Sequence, residues 1–211
     1  MTALMVLFLL VMSVALLAVT RTVSERERMQ AESQKQIDNF LDRIQAAAQR
    51  YPGIRVDRER KVIDFGDRAR FDSASFKLTT EQEKLLRAFV PEVLTVARDK
   101  DANRWLKRIV VEGFTDQQGS YLYNLNLSLQ RSQRVLCVLL SPPVGGERIM
   151  TLGEYEQIRK LFLVGGYSSN STKKSLDASR RIELRLEFFG VDEPQLASAE
   201  TVAAETGACA L

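Results

Sequence analysis

The residues best suited to chemistry are an aspartate and an arginine: Asp116 in one predicted turn and Arg131 on the predicted helix that follows it. Asp116 follows an apolar stretch, and Arg131 lies within the next one. A carboxylate at the end of a strand and a guanidinium on the following helix can face one cleft. Such a pair offers an anion and a planar cation, which suits a zwitterionic ligand that carries an ammonium and a carboxylate.

Three predicted elements position these two side chains. Residues 107–111 are rich in β-branched side chains, which predicts a strand. Gly113 and Gly119 then bracket a turn that presents Thr115 and the aspartate. Over residues 120–140, leucine and valine recur without a proline, which predicts a helix of about five to six turns.

Each of the two charged residues also has an ordinary interpretation. Aspartate is a favoured N-cap residue, so Asp116 taken alone could simply cap the helix that follows. Arg131 taken alone would more often be a solvated surface residue than part of a binding site. We favour ligand binding because of the pattern of residues around the pair.

That pattern resembles the signature of OmpA-like peptidoglycan-binding domains. The matching positions are Thr115, Asp116, Gly119, Tyr123, Asn124, Leu127, Ser128, Arg131 and Val135. The resemblance implies that Asp116 holds the ammonium and Arg131 the carboxylate of diaminopimelate, or an equivalent residue, in the peptidoglycan stem peptide. It also implies supporting polar contacts from Thr115 and Asn124.

Two arginines near the C-terminal end, Arg180 and Arg181, match the paired arginines of the family's last strand. A structural ion pair and a contact to the ligand are equally compatible with that position. Tyr123 and Leu127 are interpreted as packing residues. The family's usual histidine before the motif threonine is Phe114 here.

The composition excludes several function classes. The chain has 211 residues and a formal net charge of +3, and it lacks the concentrated basic face that a nucleic-acid partner requires. It contains no histidine, the commonest general base and metal ligand. We therefore expect no metal, no cofactor and no enzymatic activity, but a binding function.

The two cysteines, Cys137 and Cys209, are too far apart for a metal-binding knuckle. Cys137 lies in an apolar run, so a free thiol in the core is one interpretation. The other is a disulfide with Cys209, formed in an oxidising compartment, which would fasten the C-terminal tail to the domain.

Residues 1–20 are almost entirely apolar, and as a helix they would span roughly 30 Å, about one hydrocarbon core. A buried core helix and a cleaved signal peptide are alternatives, but the segment lacks the basic start and small-residue end of a signal peptide. We favour a membrane span. Arg21, Arg26 and Arg28 follow it, and the positive-inside rule alone would leave the domain in the cytoplasm.

Residues 1–9 resemble the membrane span of MotB-type stator subunits, whose domain lies in the periplasm. In that family a proton-carrying aspartate stands two positions before the methionine that matches Met1. A lone carboxylate in a membrane is costly unless it titrates or is paired, which is what proton transport requires. The matching position falls before Met1, so this chain does not supply the aspartate; a polar segment upstream that carries it would also remove the conflict with the positive-inside rule.

Residues 21–51 alternate in charge and carry one apolar helical face, which predicts a helical linker. This helix could be a solvated linker or a dimer-forming stalk, and its short apolar stripe favours packing late in its length. Residues 54–189 are predicted to form the OmpA-like domain, an α/β fold with a small mixed sheet packed by helices. Residues 190–211 form an alanine-rich, acidic tail without a core of its own.

Further strands are predicted within the domain. Residues 54–56 and 61–65 are predicted to form short strands on either side of a polar turn. Residues 161–164 are predicted to form a further strand. Residues 180–188 alternate cleanly, which predicts a half-buried strand with its charged face in solvent.

Two further helices are predicted. Thr80 and Glu83 have capping-box spacing, which predicts the start of a helix. Pro91 lies inside that helix and is expected to kink it. A shorter helix is predicted at residues 154–160.

Several other stretches are more similar to the B subunit of the Zorya anti-phage system than to flagellar MotB. They are residues 119–125, 127–132, 158–163 and 179–184. The resemblance implies a peptidoglycan-anchoring stator subunit of a proton-driven motor, present as a homodimer inside a ring of MotA-like multi-span subunits. It further implies a single-pass protein of the bacterial inner membrane with its C-terminal domain in the periplasm. A flagellar-type MotB stator subunit and a plain periplasmic peptidoglycan tether are the alternatives.

Overall fold

A computed structural model describes residues 2–99, 104–143, 148–193 and 209. Its elements in chain order are α1 (Thr2–Ala48), β1 (Arg55–Asp57), β2 (Val62–Asp64), a 3-10 turn (Gly66–Ala69), α2 (Thr80–Ala97), β3 (Leu106–Gly113), α3 (Tyr121–Leu140), α4 (Leu152–Leu161), β4 (Phe162–Gly166), the short α5 (Leu176–Ser179) and β5 (Ile182–Phe188). These elements confirm the predicted α/β class.

The strands form one five-stranded mixed sheet in the order β1–β2–β5–β3–β4. β3 and β4 are parallel, and the other neighbouring strands are antiparallel. Every predicted strand is present, with its ends shifted by one or two residues. Because β3 lies between β5 and β4, the turn that follows it is flanked by residues from both neighbours.

α1 is one continuous helix of 47 residues, so the predicted span and the predicted linker form a single rod of about 70 Å at 1.5 Å per residue. Within the described residues it is the one helix long and apolar enough to cross a membrane. Its last part packs on the domain, where Ile37, Phe40, Leu41 and Ile44 are buried. The late packing predicted for this helix is therefore confirmed, and its apolar stripe belongs to the hydrophobic core of the domain.

The hydrophobic core lies between the helices and one face of the sheet. Ile109 and Val111 of β3 and Leu184 and Leu186 of β5 are spaced two residues apart and point toward the helices, and all four are buried. They pack with the apolar faces of α2, α3 and α4. The two-residue period of the strands thus separates an apolar face from a charged face.

The start of α2 differs from the prediction by one residue. Thr79, rather than Thr80, is the N-cap, and Gln82, rather than Glu83, completes the capping box. The Thr79 hydroxyl accepts a hydrogen bond from the Gln82 N–H at 3.3 Å, and the Gln82 side chain accepts one from the Thr79 N–H at 2.8 Å. The helix continues past Pro91 to Ala97.

The charged face of β5 is not solvated as predicted. Glu183 is fully buried, because Arg60 and Arg181 donate to its carboxylate. Glu112 on the adjacent strand is also fully buried, and it pairs with Arg185. Alternation fixes which face carries these charges, but the arginines fold over the carboxylates and shield them from water.

Candidate functional site

A small cleft opens where β3 ends and α3 begins. Its volume is about 250 Å³. The lining residues come from the segment before α2, from the turn after β3, from α3 and from the segment between α5 and β5; they are Ser73, Ala74, Thr115, Asp116, Gln118, Gly119, Tyr123, Asn124, Leu127, Arg131 and Arg180. Both residues of the predicted charge pair therefore face one cavity.

Close contact between α3 and β3 brings the cleft together. Gly113 ends β3, and a Cβ atom there would lie 2.0 Å from the backbone oxygen of Ser128 on the helix. No other residue would allow this approach. The contact sets the helix directly against the strand end, so the side chain of Arg131 reaches the backbone of Phe114.

Asp116 is a fixed carboxylate at the floor of the cleft. Its Oδ1 accepts a hydrogen bond from the Gln118 N–H at 3.0 Å, and its Oδ2 accepts one from Nη1 of Arg180 at 2.9 Å. The side chain of Ser120, not that of Asp116, caps α3 by accepting from the Tyr123 N–H. The alternative role of Asp116 as a helix cap is therefore wrong.

Arg131 is fully buried on α3 and is held by three backbone carbonyls. Its Nε, Nη1 and Nη2 donate to the carbonyl oxygens of Ser75, Phe114 and Asp72 at 2.8, 2.7 and 3.0 Å. Its guanidinium also lies over the ring of Phe71, 4.9 Å from the centroid. The alternative of a solvated surface arginine is wrong.

Burial lowers the pKa of Arg131 to about 10, although the nearby Asp116 carboxylate opposes that shift. A guanidinium with this pKa still carries its full charge near neutral pH. The buried end of the cleft therefore holds a permanent cation in a water-poor environment, where its attraction for an anion is stronger than at the surface.

Two polar groups at the cleft are buried without a partner in the described part of the chain. They are the hydroxyl of Thr115 and the side-chain amide nitrogen of Asn124. Both residues are only 1% exposed. An unpaired buried polar group costs about 1–3 kcal/mol, so such groups in a cleft are expected to find a partner in a bound molecule or water.

The two C-terminal arginines have different roles. Arg180 lines the cleft and donates to Asp116, to the carbonyl oxygen of Phe71 and to Asp177. Arg181 lies outside the cleft: it pairs with Glu183 at 2.7 Å, and its guanidinium stacks 4.0 Å above the Phe114 ring. Of the two roles left open by the sequence, the structural ion pair fits Arg181.

The wall formed by Ser73 and Ala74 was not predicted to contribute to the site. These two residues belong to the loop before α2. This loop lies over Arg131, which binds carbonyl oxygens on either side of it at Asp72 and Ser75. Ala74 has a left-handed backbone conformation with φ of 52°, and that unusual turn carries no clear signal in the sequence.

The cysteines lie together at the far end of α3. Cys137 is joined to Cys209, with their Cα atoms 5.8 Å apart, a separation typical of disulfides. Most of the C-terminal tail, residues 194–208, lies outside the described residues. In the described ranges, no group of three histidine, cysteine, aspartate or glutamate residues could hold a metal ion.

Comparison with known proteins places this geometry in a family. Residues 70–160 match the OmpA family. The chain is 43% identical over 194 residues to the Zorya protein ZorB of Escherichia coli O139:H28 (strain E24377A), a match that covers 92% of this chain and 79% of that protein.

Two solved structures also match the chain at low sequence identity. One is the cell wall anchor of the type VI secretion system (T6SS) from Pseudomonas aeruginosa, with 21% identity, a TM-score of 0.45 and coverage of 71% of this chain and 97% of that one. The other is the periplasmic domain of Helicobacter pylori MotB, with 17% identity, a TM-score of 0.45 and coverage of 62% and 84%. The identity to ZorB and the OmpA match confirm the resemblance drawn from the motif, and the chain belongs to the ZorB family.

Proposed function

We propose that the chain is a peptidoglycan-anchoring, stator-like subunit of a Zorya-type anti-phage complex in the bacterial inner membrane. The observation that carries the proposal is the convergence of Asp116, Arg131 and Arg180 in one buried cleft, on a chain related to ZorB. The unpartnered polar atoms of Thr115 and Asn124 in the same cleft support a bound ligand.

The chemistry of the cleft favours the zwitterionic end of diaminopimelate in a stem peptide. The Asp116 carboxylate suits an ammonium group, and Arg131 has further N–H groups beyond the three that bind backbone carbonyls. The volume of about 250 Å³ is slightly below the range of roughly 300–1,000 Å³ for whole-ligand pockets. Such a cleft suits the end of one amino-acid side chain rather than a sugar strand.

The proposed role is binding rather than catalysis. Each charged group in the cleft already forms a fixed ion pair or several hydrogen bonds, and the chain has no histidine to transfer protons. A rigid arrangement of this kind suits a contact that must resist force.

The membrane part of the proposal rests on α1. Its exposed apolar residues would cross the inner membrane once, with the domain in the periplasm. We propose that two copies assemble within a ring of MotA-like multi-span subunits. Two domains that bind neighbouring stem peptides gain strength from effective concentration even if each site is weak. Co-purification with a multi-span ring subunit separates this assembly from a plain tether.

The test is sedimentation of the full chain with purified peptidoglycan sacculi. Asp116→Asn removes the charge but keeps the shape, and we expect at least roughly tenfold weaker binding because a buried ionic contact is lost. The matched control is Asp67→Asn, since Asp67 lies outside the cleft with its side chain 74% exposed. Equal sedimentation of Asp116→Asn and the unmodified chain would refute the proposed function.

A further inference from the structure

Phe114 joins the cleft to the rest of the domain, although its own side chain lies outside the cleft lining. It follows β3 directly and precedes Thr115 and Asp116, both of which line the cleft. Its carbonyl oxygen accepts a hydrogen bond from Nη1 of Arg131 at 2.7 Å. The orientation of the Phe114 peptide therefore helps to set the relative positions of the aspartate and the arginine of the cleft.

Arg181 contacts both the ring and the backbone of Phe114. Its guanidinium lies over the Phe114 ring, 4.0 Å from the centroid, and its carbonyl oxygen accepts the Phe114 N–H at 3.0 Å. The ring also stacks on that of Tyr167, with the centroids 5.3 Å apart and the planes inclined by 26°. Phe114 and Arg181 are each only 2% exposed. A cation over an aromatic face is held more strongly where water is excluded, so this stack restrains the Phe114 side chain.

The guanidinium of Arg181 is itself fixed in place by contacts at its edge. Its Nε donates to Oε1 of Glu183 at 2.7 Å, and its Nη1 donates to the carbonyl oxygen of Ser171 at 3.1 Å. Glu183 is fully buried and also accepts from Arg60. Because a guanidinium is planar, contacts at its edge leave its face available to the Phe114 ring. The buried ion pair therefore holds the cation that restrains the ring.

We propose that Arg181 is a positioning residue for the cleft. By stacking on Phe114, it holds the peptide that accepts from Arg131 and leads into Asp116, so the binding pair has its working geometry before a ligand arrives. A site ordered in advance loses less conformational entropy on binding. Arg181 acts through Phe114 and makes no contact with the ligand. This inference rests on the proposed function, because it assumes that a stem peptide binds in the cleft.

The experiment measures the affinity of the full chain for a synthetic stem tripeptide whose third residue is diaminopimelate. It is carried out at a temperature at which every variant is folded, as judged by the fluorescence of the buried Trp105. Arg181→Gln removes the cation, and Phe114→Leu removes the aromatic face. We expect each variant to bind the tripeptide roughly three- to tenfold more weakly, the change that corresponds to the loss of one buried cation–π contact.

Leu186→Ala is the matched control, because it removes a buried side chain from β5, the strand that follows Arg181, without altering the cleft lining. It should lower the unfolding midpoint but leave the affinity of the folded chain unchanged. If Arg181 had only a structural role, Arg181→Gln would behave in the same way. A lower midpoint with unchanged tripeptide affinity in Arg181→Gln would therefore overturn the inference, while the proposed function would survive.

The double variant Arg181→Gln/Phe114→Leu tests whether the two residues act through one contact. If they do, the double variant should bind the tripeptide no more weakly than the weaker of the two single variants. Losses that multiply would show that the residues act independently and would refute the route through Phe114. If the unmodified chain does not bind the tripeptide, the proposed function fails, and this inference fails with it.

The side chain of Arg131 provides a second readout that needs no ligand. Its Nε–H donates to the carbonyl oxygen of Ser75 at 2.8 Å, so the NMR signal of this group reports on the geometry of the cleft. We expect the signal to shift in Arg181→Gln and in Phe114→Leu, and to stay in place in Leu186→Ala. An unshifted Arg131 signal in both of the first two variants would contradict the positioning role.

Discussion

Arg131 serves two purposes within one side chain. Its charge faces the cleft, and its N–H groups cross-link the turn after β3 to the loop before α2. Few residues can do both, because only arginine offers five donors in a fixed plane. Substitutions of Arg131 therefore combine loss of ligand contact with loss of structure.

We expect Arg131→Ala to lower the free energy of unfolding by about 3 kcal/mol, since three carbonyl groups lose a charged donor that is itself fully buried. Arg131→Lys should recover little of this loss, because one ammonium cannot reach all three oxygens. Denaturant unfolding of the full chain measures the change, with Asp116→Asn as the comparison that affects the cleft but not the three carbonyls. An unfolding midpoint of Arg131→Ala equal to that of the unmodified chain would contradict the cross-linking role.

At the scale of the elements, α1 contributes to the domain core as well as supplying the candidate membrane span. Its final turns supply Ile37, Phe40, Leu41 and Ile44 to the core, and its contacts reach α2 and β1. The span and the domain are thus joined by a helix that is packed at its domain end. A load on the domain would pass into this helix directly.

We expect Ile44→Ala to lower the free energy of unfolding of the domain by about 2–4 kcal/mol, as is typical for a fully buried aliphatic side chain. Gln45→Ala is the control, because the neighbouring residue is exposed on the same helix. Denaturant unfolding followed by the fluorescence of Trp105, a buried residue of the domain, measures both. Equal stability of the two variants would mean that α1 is a separate stalk.

Local patterns in the sequence predicted the elements well but not the contacts between them. The period of β5 identified its apolar face correctly, yet it could not show that arginines from other segments cover Glu183. The spacing of Thr80 and Glu83 predicted the wrong one of two adjacent threonines, and the backbone geometry shows that Thr79 is the cap of α2. The pairing of Asp116 with Arg180 joins distant parts of the chain, so no spacing rule could have indicated it.

At the scale of the whole molecule, the cysteine pair ties the C-terminal tail to the helix that carries Arg131. The start of the tail also forms ion pairs, from Asp192 to Arg26 of α1 and from Glu193 to Lys107 of β3. A disulfide persists only in an oxidising compartment, so its state reports on which side of the membrane the domain lies.

In protein isolated from cells without reductant, we expect Cys137 and Cys209 to resist alkylation; after reduction, both should react. Loss of the disulfide in Cys209→Ser should lower stability by about 4 kcal/mol in the loop-entropy treatment, given a sequence separation of 72 residues. Mass spectrometry after alkylation and denaturant unfolding measure the two effects. Rapid alkylation of both thiols without reductant would argue against a periplasmic domain.

The central claim is that the cleft lined by Asp116 and Arg131 binds the zwitterionic end of a stem peptide. The most direct measurement is titration of the full chain with the diaminopimelate tripeptide, with Asp116→Asn compared to Asp177→Asn. Asp116 and Asp177 both pair with Arg180, but the side chain of Asp177 is 66% exposed and lies outside the cleft lining. The account predicts that Asp116→Asn loses tripeptide binding by at least roughly tenfold while Asp177→Asn retains it. Undiminished binding by Asp116→Asn would contradict it.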